Sequence, residues 1–222
     1  MFKFKPIFKQ SHRGNDRIMA FKHLDLKIGH VGESWELSGF RNSESVVSRG
    51  PHDGKPLGQL VHELRGRLVG QENYRRFGNE FPLLVKLIDT RQSLSLQVHA
   101  TSGDCFIAEI RDTSDVTYYL GHDKYADTNN DQVPYTPLQD QGVQLVSSPS
   151  FTIAVYDLDD PMTIDYSDLD SFVALIALAG SGELCDDSGQ RFTFRQGETV
   201  LLPATLNTLR FEGTLKFLEI YV

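Results

Sequence analysis

Basic charge, sulfur and long apolar runs are all scarce in this chain of 222 residues. Its 22 lysines and arginines are outnumbered by 30 aspartates and glutamates, giving a formal charge of -8. No basic stripe offsets that balance, which argues against a nucleic-acid partner. The two cysteines, Cys105 and Cys185, form no CxxC pair and give no disulfide framework. The apolar run Phe172–Ala179 is too short to cross a bilayer and reads as a buried strand, so no membrane partner is expected. Met1-Phe2-Lys3-Phe4-Lys5-Pro6 has no apolar core of the signal-peptide kind, and the expectation is a cytoplasmic protein.

What is present is a large apolar fraction, 40%, enough to build a core for one large or two small domains. Leu94-Ser95-Leu96-Gln97-Val98-His99 alternates strictly and reads as a half-buried strand. Leu94, Leu96 and Val98 take one face, and Ser95, Gln97 and His99 the other. Side chains two apart on a strand lie roughly 7 Å from each other, so Gln97 and His99 could reach one ion or one substrate. The stretch Phe81–Asp89 before it reads as a second strand. Leu57, Leu60, Val61, Leu64 and Leu68 recur at helical spacing up to Gly70, and a short helix around Glu72–Phe77 follows; together they make a helical segment at about 57–78. Tyr125–Gly142 is polar and rich in turn residues and reads as a linker.

From about Val143 onward the pattern is strand and turn. Phe151–Tyr156, Ser171–Leu178, Gly182–Cys185, Phe192–Arg195, Thr199–Leu202, Thr208–Phe211 and Leu215–Val222 are the candidate strands, with hairpin-like turns at Asp186–Gly189 and Arg195–Gly197. Many short strands at this spacing suit a small barrel or sandwich. The fold class is therefore mainly β, in two units, 1–142 and 143–222.

Several segments resemble the type I phosphomannose isomerases, which are zinc-dependent cupins. Leu94–His99 looks like that family's metal strand. Gly32-Glu33-Ser34-Trp35-Glu36-Leu37-Ser38 is similar to its early motif. Ile107-Ala108-Glu109-Ile110 and Ser114-Asp115-Val116-Thr117-Tyr118 resemble its late one, and Gly197–Ala204 resembles a strand-turn of its C-terminal domain. The resemblance implies jelly-roll-like cupin barrels, a zinc cofactor and interconversion of mannose 6-phosphate and fructose 6-phosphate. It also implies metal ligands at Gln97 and His99, a pocket cation at Lys86 and a substrate contact at Asp115.

Three departures from the family pattern stand out. The family holds zinc with a Gln and a His on one strand, a Glu further on and a second His. Here the chain runs from Gln97-Val98-His99 directly into residues that resemble those following the second His, as though the block between had been removed. The Glu and one His ligand are thereby lost, and the first barrel is expected to be truncated. Zinc sites usually have at least three protein ligands, so the expected site is weak or absent. Glu109 or Asp115 could complete it only after rearrangement. Second, Tyr119 occupies the position of the family's catalytic arginine and offers neither its charge nor its planar donor fork; His122 or Lys124 could supply charge from a loop. Third, Gln10–Asn15 replaces a Trp-Gly-Gly segment.

Plainer readings apply to other residues. Lys86, among Leu84, Val85, Leu87 and Ile88, could snorkel to the strand edge or pair with Asp89; the resemblance favours a pocket cation. His12, His23, His30, His52, His62 and His122 show no ligand-like spacing. Trp35 reads as a core anchor, and Glu33 and Glu36 as supports for the fold. The acidic segments Tyr156–Asp160 and Asp165–Asp170 lack Ca²⁺-loop spacing and read as solvated turns. The net negative charge means that a sugar phosphate would need local cations. The expected protein is an isomerase-like one with impaired catalysis; the alternative is a non-catalytic cupin binding a sugar phosphate or a protein partner. Strand edges exposed by the truncation predict a homodimer through the first unit.

Overall fold

Most of the chain is strand, and which faces of those strands are buried sets the architecture. The structure, a computed structural model, describes residues 1–11, 16–25, 30–89, 93–112, 115–121 and 130–222. The chain begins with β1 (Phe2–Lys5), β2 (Ile7–Gln10), α1 (Arg17–Phe21), β3 (Val31–Ser38) and β4 (Val46–Val47). Three short helices follow, α2 (Leu57–Leu64), α3 (Gly66–Val69) and α4 (Gln71–Phe77). Next come β5 (Leu83–Asp89), β6 (Leu94–Ala100), β7 (Cys105–Ile110), β8 (Val116–Gly121) and β9 (Asp131–Val133). The remainder is β10 (Gly142–Ser147), β11 (Thr152–Leu158), β12 (Met162–Asp165), β13 (Val173–Asp186), β14 (Arg191–Arg195), β15 (Thr199–Leu202) and β16 (Thr208–Tyr221).

Two antiparallel sheets result. One has seven strands in the order β2-β3-β5-β6-β7-β8-β9. The other has nine, running β10-β11-β16-β13-β15-β1-β4, with β12 beside β16 and β14 beside β13. The first core lies between the sheets. Val85, Leu87, Leu96, Val98, Phe106 and Ala108 fill it from the seven-stranded side, and Ile176, Leu178, Leu218 and Ile220 from the other. A second core, with Leu175, Phe194, Phe211 and Phe217, lies on the opposite face of the nine-stranded sheet. β13 thus buries side chains on both faces, which is why its sequence is a continuous apolar run.

The structure joins some expected elements and divides others. The strands expected at 171–178 and 182–185 are one strand, β13, with an irregular register between Ala177 and Ala179. Gly180 lets it continue: at φ +79 a Cβ there would sit 2.1 Å from the Thr214 carbonyl oxygen. The strands expected at 208–211 and 215–222 are likewise one, β16. The helix expected from Leu57 to Gly70 breaks at Arg65, whose φ of 52 ends α2. Part of the expected linker is strand: β9 pairs with β8 through Val133↔Tyr118 and Gln132↔Tyr119. Hydrophobic periodicity missed α1, a single turn and a half with Ile18, Met19 and Phe21 buried.

The helical segment is pinned to the C-terminal sheet. No side chain of its own chain start caps α4; the Asp170 carboxylate accepts hydrogen bonds from the Gln71 and Glu72 amides at 2.7 and 3.0 Å. Asn73 reaches Ser171 and the Val222 carbonyl. Gly70 permits this approach, because a Cβ there would meet the Asp170 carbonyl oxygen at 2.1 Å. Among the described residues, no helix is long and apolar enough to cross a membrane.

Candidate functional site

The seven-stranded sheet has one face in the core and one that is only partly covered. Directly opposed residues on neighbouring antiparallel strands share a face, so the register lists the open face rung by rung. Trp35 pairs with Lys86, Lys86 with Gln97, Gln97 with Ile107 and Ile107 with Tyr119. The next rung aligns Leu84, His99, Cys105 and Gly121. On the other side of Gln97, Ser95 opposes Glu109, which opposes Thr117. The structure therefore brings Lys86, Gln97, His99 and Tyr119 to one face.

Around His99 the geometry is tight. His99 is 8% exposed, and its Nε2 lies 3.0 Å from Gln97 Oε1. The Gln97 amide nitrogen donates to Ser95 Oγ at 3.3 Å, leaving the oxygen turned toward the ring. Cys105 Sγ stands 3.9 Å from the same His99 Nε2. Burial pushes the Cys105 thiol up to about 11, with the nearby Lys86 charge acting in the opposite sense. A cleft of about 540 Å³ opens beside His99, lined also by Phe40, Arg41, Glu44, Glu80 and Thr101.

Lys86 is half-buried and does not pair with Asp89. Asp89 instead accepts from the Arg17 backbone amide at 2.9 Å and faces the Arg17 guanidinium at 3.3 Å. No ion pair of Lys86 is found among the described residues. Asp115 is placed apart. It is exposed, precedes β8, and lies 3.8 Å from the Arg111 guanidinium. About 20 Å of strand separates it from Gly121 on the His99 rung. His12, Ser114, His122 and Lys124 lie outside the described residues.

The early motif supports the fold. Glu36 pairs with Lys22 at 2.7 Å, both side chains under a tenth exposed, and accepts from Ser34. Glu33 accepts from the Trp35 indole at 2.7 Å. Trp35 is not a core anchor: it lies half-buried on the open face with the Lys9 ammonium over its ring at 3.2 Å. A bulge between Trp35 and Leu37 turns Trp35 outward while Leu37 enters the core.

The open face carries Trp35, Lys86, Gln97 and Glu109 from the sequence motifs, and comparison with known proteins identifies the family. Residues 15–132 match the family described as phosphomannose isomerase type I, catalytic domain. Residues 143–222 match the mannose-6-phosphate isomerase cupin domain. The chain belongs to the type I phosphomannose isomerase family. It is 36% identical to the mannose-6-phosphate isomerase ManA of Bacillus subtilis over 96 residues, 43% of this chain and 29% of that protein. It is also 36% identical to the mannose-6-phosphate isomerase of Streptococcus mutans over 100 residues, 43% of this chain and 30% of that one. The matched stretch thus spans under a third of either relative's length.

The cupin-type fold is shared with solved structures. The Bacillus subtilis mannose 6-phosphate isomerase superposes with a TM-score of 0.69 at 16% identity, covering 100% of this chain and 99% of that one. The apo form from Salmonella typhimurium gives 0.70 at 11% identity, covering 100% and 98%.

Zinc, which the sequence resemblance implies, takes nitrogen, oxygen and sulfur donors. Gln97 Oε1 and His99 Nε2, the two donors that the resemblance assigns to it, lie 3.0 Å apart, within hydrogen-bond distance of each other. Among the described residues, no group of three His, Cys, Asp or Glu side chains could hold a metal ion. Sequence reasoning missed two residues here, Cys105 and Arg41. The register of β6 with β7 was the missing signal for Cys105. Arg41 enters through the loop after β3, which no periodicity places.

Proposed function

We propose that this family member keeps a hexose-phosphate-binding face and has lost most of the isomerisation chemistry. The observation that carries the reading is one rung of the open face: Lys86 and Gln97 side by side, with Tyr119 where the resemblance places an arginine. Lys86 supplies the positive charge for the phosphate. Gln97 and His99 would hold zinc, which when bound supplies Lewis-acid polarisation of a carbonyl. Tyr119 supplies no charge to an anion, and Glu109, two rungs from His99, is poorly placed to move a proton near it. The division into a site-bearing unit, 1–142, and a metal-free cupin unit, 143–222, belongs to the same proposal, with β1 lent to the second sheet.

The test compares mannose 6-phosphate binding with its conversion to fructose 6-phosphate, with added zinc, with chelator and in His99→Ala. The expected result is binding without turnover above the chelated control. Zinc-dependent turnover that disappears in His99→Ala would overturn the claim of lost chemistry. No binding under any condition would overturn the claim of a retained face.

A further inference from the structure

The cleft beside His99 is lined by neither Lys86 nor Gln97, yet it begins on the same face. Leu84 and His99, which line it, lie two residues along β5 and β6 from Lys86 and Gln97. Two residues of strand span roughly 7 Å. A hexose phosphate anchored at the Lys86–Gln97 rung therefore has its carbon skeleton within reach of the cleft.

Phe40 lines this cleft and is 49% exposed. A single exposed apolar side chain needs no explanation. Phe40 is not single: its ring packs against Trp35, with centroids 5.9 Å apart. Trp35 is fixed in turn by Glu33, which accepts from the indole N–H at 2.7 Å, and by the Lys9 ammonium over its ring. A braced aromatic ring thus borders a cleft of about 540 Å³, within the range of about 300–1,000 Å³ usual for small-molecule sites.

Charge decides which part of a ligand the cleft suits. Arg41 stands against Glu44 and Glu80, so the lining offers no excess of positive charge to a phosphate. These groups, with Asn79 and Thr101, are instead donors and acceptors for hydroxyls. A pyranose ring carries hydroxyls at its rim and C–H groups on its faces. The positive C–H edge meets the negative face of an aromatic ring favourably. An open-chain hexose presents no such flat face.

We propose that the cleft holds the closed pyranose ring of the hexose phosphate, with Phe40 as its stacking platform. This rests on reading the Lys86–Gln97 rung as the place of the phosphate. The ligand class narrows to sugar phosphates in ring form, glycosides included, and acyclic sugar phosphates are disfavoured. A closed ring keeps its carbonyl masked, so this mode of binding retains the sugar without isomerising it.

The test uses the full chain and three ligands, with affinities from calorimetry. They are mannose 6-phosphate, methyl α-mannoside 6-phosphate, whose ring cannot open, and mannitol 6-phosphate, which has no ring. The first two should bind comparably, and the third at least about threefold more weakly. Phe40→Ala should weaken the two ring ligands by about 3–10-fold, leave mannitol 6-phosphate unchanged, and be rescued by Phe40→Tyr. Trp35 is the single tryptophan, so its emission should change when a ring ligand binds. Mannitol 6-phosphate bound as tightly as the glycoside overturns the ring platform alone. So does a ring ligand that binds without changing Trp35 emission, is unaffected by Phe40→Ala, or is not rescued by Phe40→Tyr. No binding of any of the three rejects the proposed function, and this inference with it.

Discussion

Lys86 and Gln97 stand directly opposite each other across β5 and β6, so an ammonium and a carboxamide share one rung of the open face. If that rung receives the phosphate end of a hexose phosphate, Lys86→Met removes a charge-assisted hydrogen bond worth about 1.5–3 kcal/mol. Mannose 6-phosphate binding, measured by calorimetry, should weaken by about 10–100-fold, while the thermal midpoint changes little. Unchanged affinity would move the phosphate elsewhere, with Arg41 beside the cleft the next residue to replace.

Lys22 and Glu36 form an ion pair at 2.7 Å with both side chains buried, and the Lys22 ammonium also donates to the Gly197 carbonyl. Glu36→Ala leaves a buried ammonium without its carboxylate and should cost about 3–5 kcal/mol. The double change Lys22→Met with Glu36→Leu removes both charges and should recover most of that loss. Urea denaturation of the three proteins checks it. Equal losses in the single and double variants would show that the pair's value lies in its hydrogen bonds to Ser34 and Gly197.

Glu219 is buried in the second core, where the Tyr166 hydroxyl donates to it at 2.6 Å. Burial raises its carboxyl above the ordinary 4.5, against the lowering effect of hydrogen bonds from Tyr166 and Tyr156. The folded protein therefore holds this proton more tightly than the unfolded chain. Its contribution to stability is fully present below pH 4.5 and is lost as pH rises through the raised value. Glu219→Gln stays neutral throughout and keeps an acceptor for Tyr166. The variant should gain stability relative to wild type as pH rises, read as a widening difference in thermal midpoint. A constant difference across pH would mean that Glu219 does not titrate in this range.

The seven-stranded sheet ends in β2 and β9, neither of which has a further strand beside it among the described residues. Open edges are templates for another chain, and we propose that the protein forms a homodimer through this sheet. Light scattering at micromolar concentration should report twice the chain mass, and a lysine or proline placed in Asp131–Val133 should reduce it. A monomer in both cases rejects the interface.

Alternation made β6 legible because both of its faces are specified: Leu94, Leu96 and Val98 must enter a core, and Gln97 must not. The same rule failed at β13 and β16, where glycines that look like turn residues instead let two backbones approach. It failed again at Trp35, because a bulge reverses which side of β3 is buried. That Gln97 and His99 share a face follows from their spacing of two, and the β5–β6 register sets Lys86 beside Gln97. Cys105 could not be placed from spacing, since its proximity to His99 depends on the β6–β7 register rather than on sequence distance. Asp115, four residues before Tyr119, precedes β8 and is exposed.

Strand β1 completes the nine-stranded sheet between β15 and β4, and Lys3 reaches Glu198 across 195 positions of chain. During synthesis at about 5–20 residues per second, that lysine waits about 10–40 seconds for its partner to emerge. Until then the β1 segment has only the short β4 to hold it, and β13 lacks β15 and β16. Assembly of this sheet is therefore a closing event: β15 admits β1, and a chain halted before β15 would leave β1 without that partner.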